Sequence, residues 1–210
     1  MSVERTHHQT HQNLLRAADL YVAVLRQYFA GQYADHPQTM IACSSRMAGT
    51  LMLRSFAGNL AQYQPGQLLN LPQIQERSAH LSTLLNTTLQ QLGDVIDFDL
   101  AQAALDTNNI SRMNLLQTQT EFEPVFTGMA NTLGLSLPQA ACAACLASAV
   151  LVHEAQRKID LHCAYITAVY GHIEALKTAP ALLRNNEKLD LSAFSPKPAV
   201  KKPWYQFWAR

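Results

Sequence analysis

The sequence predicts an all-α fold: a single-domain bundle of six or seven helices over residues 1–190, followed by an extended C-terminal tail over 191–210. Three observations carry this. The first is a phrase written three times, as Asp35-His36-Pro37-Gln38, Asn70-Leu71-Pro72-Gln73 and Ser136-Leu137-Pro138-Gln139. A small side chain that can accept a hydrogen bond stands three positions before a glutamine that can reach back to it. The proline lies where no helical donor is lost, so the phrase has the chemistry of a helix start. The second is apolar periodicity near 3.6 after each phrase. The third is that the strong breakers, Gly31, Pro65-Gly66 and Gly93, fall between periodic stretches.

The first helix is expected over 11–30, with Leu14, Ala18, Tyr21, Leu25 and Phe29 on one stripe and Arg16, Asp19 and Arg26 off it. The second, 37–60, is apolar or small on nearly every side, and its only charges are Arg46 and Arg54. That composition predicts a central helix, with Ala48 and Gly49 allowing close approach of a neighbour. The third, 72–92, turns Ile74, Leu81, Leu85, Leu89 and Leu92 inward. Its other face, 78–91, lacks Asp, Glu, Lys and Arg, and a cover over that face is expected.

Asp97 or Asp99 is expected to cap a short helix ending near Asp106, and Asn108 or Asn109 the next, which runs over 110–133. Pro124 should kink or break that helix near Phe122. From Ser136 the pattern stays helical to Thr178, some 60 Å if straight, so a bend is expected between Asp160 and Gly171.

Size and composition bound the function. The 210 residues suffice for one sizeable core. Charged residues make up 15%, against roughly 25% in ordinary domains, and eighteen glutamines supply much of the polarity. A weakly self-repelling surface of this kind favours association, so a homo-oligomer is expected. A net charge of +1 gives no basic face for phosphates, so no nucleic-acid partner is expected. Residues 1–12 hold no apolar run, and no secretory signal is expected. The apolar run 140–152 spans about 20 Å as helix, short of the ~30 Å bilayer core, and reads as a buried helix. Cys43, Cys142, Cys145 and Cys163 lie in helical patterns, which predicts reduced thiols and a cytoplasmic setting.

Several groups bear on chemistry. Cys142-Ala143-Ala144-Cys145 is a C-x-x-C on a helix, with His153 and Glu154 downstream. At these residues the chain resembles the all-α AhpD-like thiol peroxidase reductases, which would imply thiol oxidoreductase activity. In that family a histidine follows the second cysteine by one helical turn; here His153 follows by eight positions. Cys142 and His153 would stand about 16 Å apart, too far for proton transfer. Packing cysteines that are largely buried are therefore expected. No second Cys/His pair has zinc spacing, and no metal or other cofactor is expected. His7, His8 and His11 read as solvated, and His162 and His172 as ordinary hydrogen-bonding groups. Asp94, Asp97 and Asp99 lack the glycine and distant glutamate of a calcium loop and read as caps.

Two candidate sites remain. Arg46 and Arg54, with Thr50 between them on one helix face, need partners. Either carboxylates on neighbouring helices supply them, or the arginines line an anion-binding pocket with hydroxyls from Ser44, Ser45 and Thr50. The second candidate is the tail. Its 20 residues hold Lys197, Lys201, Lys202 and Arg210 and no acid, whereas the other 190 hold twelve basic and fifteen acidic residues. After three prolines it ends in Trp204-Tyr205-Gln206-Phe207-Trp208, which contains both tryptophans of the chain. Such a segment suits a clasp on its own body or a sister subunit, docking into a partner protein, or an anionic membrane surface. The expectation is a non-enzymatic interaction or scaffold protein that docks through Trp204, Tyr205, Phe207, Trp208, Lys201 and Lys202. The rival reading is a ligand-binding or enzymatic bundle around Arg46, Arg54 and Thr50, or a C-x-x-C oxidoreductase.

Overall fold

The computed structural model describes residues 2–31, 33, 35–104 and 111–181. Within them lie seven α-helices: α1 (Ser2–Phe29), α2 (Pro37–Phe56), α3 (Ile74–Gln91), α4 (Phe98–Ala103), α5 (Leu115–Thr132), α6 (Leu137–Ala155) and α7 (Leu161–Leu176). A single 3-10 turn covers Leu60–Gln62, and no strand occurs among the described residues. Trp204 to Trp208, Lys201, Lys202 and the 190/191 boundary lie outside them, as do Asn108 and Asn109.

A helix that is small or apolar all round must be surrounded, and α2 is. Sixteen of its 20 residues are buried, and its most extensive contacts are with α7 and α6. The approach of α7 depends on two glycines. A Cβ on Gly49 would overlap the His172 carbonyl and lie 2.8 Å from the Ala175 Cβ, and one on Gly171 would overlap the Ser45 side chain. Across α6, the Ser44 and Ser148 hydroxyls both donate to the Ala144 carbonyl, at 3.0 and 2.9 Å. Length and composition would let α6 cross a membrane, yet 67% of it is buried among the other helices. Against α5, α1 stacks the Tyr21 ring on Phe126 at 3.9 Å, and the Tyr21 hydroxyl donates to the Phe126 carbonyl at 2.9 Å.

The cap phrase behaves differently at each copy. Ser136 caps α6, and Gln139 Oε1 accepts from the Ser136 N–H at 2.8 Å. Asp35 stands two residues before α2, but the cap is His36, whose ring meets Thr39 Oγ1 at 2.8 Å. Asn70 lies four residues before α3 and caps nothing. The Leu69 N–H is bonded to the Lys177 carbonyl at 2.7 Å, and the chain turns into the helix only at Ile74. For α5 the cap is Asn114, in a reciprocal box with Gln117.

Pro124 does not break α5, which runs through it. The carbonyl it leaves without a helical donor belongs to Thr120, on the exposed side of the helix where water can serve it. The break in the long C-terminal run comes at 156–160, ahead of the expected place. Asp160 caps α7, accepting from the His162 and Cys163 N–H groups at 2.8 and 3.1 Å. These bonds, Cys163's first, hold its carboxyl below the usual range. The uncharged face of α3 leaves Ala79, His80, Thr83, Thr87, Gln90 and Gln91 exposed, so the expected cover is absent among the described residues.

Candidate functional site

Arg46 is buried, and Nε donates to Glu174 Oε2 at 2.7 Å while Nη1 donates to the Met113 carbonyl. Eight residues on, Arg54 forms a two-pronged pair with Glu123: Nε donates to Oε1 and Nη2 to Oε2 at 2.9 Å. The Glu123 side chain is 2% exposed. Burial pushes its carboxyl up, and the hydrogen bonds and charge of Arg54 oppose that shift. Both guanidinium groups thus have carboxylate partners on other helices, α7 and α5.

The Arg54 group continues into the end of the described chain. Its Nη2 also donates to the Ala181 carbonyl at 2.8 Å. The Ala181 N–H donates to Gln119 Oε1 at 3.0 Å, and Gln119 Nε2 donates to Thr50 Oγ1 at 3.0 Å. Thr50, Gln119 and Arg54 therefore hold both backbone polar groups of Ala181. Just upstream, Gly66 and Leu69 donate to Ala179 and Lys177 at 2.9 and 2.7 Å, and Ala179 donates to Gln67 at 2.7 Å. Of the residues proposed from sequence as a ligand set, Arg54 and, through Gln119, Thr50 hold Ala181, while Arg46 is paired with Glu174.

The cysteines are free thiols. Cys145 is buried, with its thiol on the Leu81 carbonyl at 3.3 Å, whereas Cys142 is only part-buried and meets His80 Nε2 at 3.6 Å. Burial raises both thiols, and raises Cys43 to about 11. His153 pairs with Asp94 at 2.9 Å, and Gln156 also donates to Asp94 at 2.7 Å. His162 Nε2 accepts from the Asp97 N–H at 3.2 Å, and Asp97 caps α4 through the Asp99 and Leu100 N–H groups. His8 meets Gln12, His11 is exposed, and the His7 side chain lies outside the described ones. Among the described residues no three His, Cys, Asp or Glu side chains converge as metal ligands.

A cleft of about 570 Å³ opens between the start of α3 and the end of α7, where Leu71, Ile74, Ser82 and Lys177 contribute to its wall. Behind it Ser82 Oγ and His172 Nε2 lie 3.0 Å apart. Burial lowers His172 to about 4, so at neutral pH its ring is uncharged; a bond to the Ala168 backbone opposes the shift. Sequence reasoning missed Ser82, His80 and Gln119, each of which meets its partner from a different helix. Glu123 and Glu174 could have been found: they are acids in otherwise lightly charged helices, facing two arginines that need them.

No protein-family model, no curated protein and no solved structure matches this chain.

Proposed function

We propose that this is a non-enzymatic interaction protein, homo-oligomeric and cytoplasmic, whose helical body presents a basic, aromatic C-terminal arm as its docking element. One observation carries the reading. Ala181, ten residues ahead of the start of the arm, is clamped on both its backbone polar groups by Arg54 and Gln119, so the described body is anchored up to that residue. In the arm the sequence supplies four large rings within five residues, preceded by three lysines and three prolines. Each ring can bury about 150–250 Å² on a partner. The prolines limit the freedom lost on docking. Arg46, Arg54 and Thr50 are occupied by internal partners, which favours the clamp over an anion pocket built from them. A protein partner or a sister subunit is the proposed target, with an anionic membrane as the competing one.

Comparison of the full chain with one ending at Ser195 tests this. Loss of the oligomer or of co-purifying proteins supports it, and loss of binding to anionic vesicles alone moves the target to the membrane. Unchanged oligomeric state, co-purifying proteins and vesicle binding would end the proposal.

A further inference from the structure

Six large apolar side chains are exposed among the described residues, and three of them lie within six positions: Val95 (81% exposed), Phe98 (60%) and Leu100 (55%). Asp97 and Asp99 stand between them, and residues 94–104 contain no lysine or arginine. This knob is held rigidly. The Asp97 carboxylate fixes the start of α4, the Asp97 N–H is bonded to His162 of α7, and the Phe98 ring meets Tyr165 edge-on at 6.1 Å. A fixed apolar surface interleaved with negative charge is a poor thing to leave in water and a good receptor for a cationic aromatic segment.

We propose that the knob at Val95, Phe98 and Leu100 is the resting seat of the same molecule's arm, residues 201–208. The seat rests on the reading of the arm as a docking element and adds its regulation: a partner must displace the arm from α4. Charge and apolar character match, since Lys201 and Lys202 precede Trp204, Tyr205, Phe207 and Trp208 as Asp97 and Asp99 interleave the knob. Reach is ample. The twenty residues from Ala181 to Lys201 span up to ~60 Å when extended. A body of this length has a radius of gyration of about 16 Å and is roughly 40 Å across. Intramolecular docking also wins on concentration, because a short tether holds its end near the seat at about millimolar.

The chain supplies its own probe, since both tryptophans are in the arm and their emission reports on it alone. The full-length protein is expected to show blue-shifted emission and protection from acrylamide, relative to a free peptide of residues 195–210. Both features should persist on dilution through the micromolar range. Val95→Asp with Leu100→Asp, at exposed positions that leave the helical circular dichroism intact, should return emission and quenching to the peptide's values. Asp99→Lys should weaken the protection, and adding Lys201→Glu with Lys202→Glu should restore it. Peptide-like emission in the wild type, protection indifferent to the knob variants, or protection that appears only as concentration rises would each overturn the seat. The chain ending at Ser195 separates the two ideas. If it loses the oligomer or partner while the knob variants leave the tryptophans unchanged, the seat fails and the arm's role stands.

Discussion

Gly49 of α2 lies directly beneath the His172 carbonyl of α7, so close that a Cβ at position 49 would overlap that oxygen. The obstruction is backbone, and a backbone atom in a packed helix cannot swing aside as a side-chain tip can. The contact therefore sets how near the two central helices come. Gly49→Ala gains about 1 kcal/mol of helix propensity and meets an overpacking cost of about 1–3 kcal/mol or more. Net destabilisation is expected, read as a lower urea midpoint. An unchanged or raised midpoint would show that α7 can shift outward freely.

The Arg54–Glu123 pair joins α2 to α5, and the carboxylate is almost fully buried. Removing one member leaves the other unpaired, at about 3–5 kcal/mol. In Arg54→Met, Glu123 loses the partner that opposes its upward shift. Its folded pKa then stands further above the unfolded value, so the stabilising effect of protonation is full at acid pH and lost as pH rises through the folded pKa. The variant should therefore be less destabilised in mildly acid solution than at pH 8. Adding Glu123→Leu should remove that pH dependence and recover part of the loss. Equal destabilisation of Arg54→Met at both pH values would contradict the argument.

His172 titrates in the opposite sense. Its folded pKa is lowered from 6.5 to about 4 by burial. Between those values the unfolded chain binds more protons, so stability is full above about 6.5 and falls as pH drops towards 4. The loss is about 3 kcal/mol at 1.36 kcal/mol per pKa unit. An NMR titration of the His172 ring checks the cause directly, and a midpoint near 6.5 would refute it. His172→Gln should flatten the acid limb of a urea midpoint-versus-pH curve, provided Ser82 keeps an acceptor.

What was legible in the sequence is what one helix decides alone. The all-round small and apolar composition of α2 marked it as central, and Ser136 with Gln139 marked a helix start, because both are local properties. Asn70 begins the same phrase but fails as a cap, since residues 66–69 are drawn into pairing with 177–179, a competition invisible from 70–73. The sequence shows the donor that Pro124 lacks, while its effect depends on which side of the helix the freed carbonyl faces. The candidate site changed meaning for a similar reason. The sequence marks Arg54 as needing a partner and Thr50 as a nearby hydroxyl, yet the groups they bond, Glu123, Gln119 and Ala181, are 69 to 127 positions away. Only the packing of α5 and the chain end against α2 brings them together.

The C-x-x-C is the last place where local pattern and packing pull apart. His80, from α3, rather than His153, lies near Cys142, and an imidazole 3.6 Å from a thiol is placed to accept its proton. Burial works the other way and raises both thiols. A thiolate is the reactive form, so raised thiols should alkylate more slowly than a free cysteine at pH 7.5. Cys145, buried and bonded to the Leu81 carbonyl, additionally waits for local opening of the α3–α6 contact. The expected order with iodoacetamide is therefore free cysteine, then Cys142, then Cys145 far behind, each followed by mass spectrometry. His80→Ala should leave the Cys142 rate within about twofold, because desolvation and not the imidazole dominates its titration. A Cys142 faster than free cysteine, with an acid-shifted rate profile that disappears in His80→Ala, would instead make the pair an activated thiol and bring the oxidoreductase reading forward.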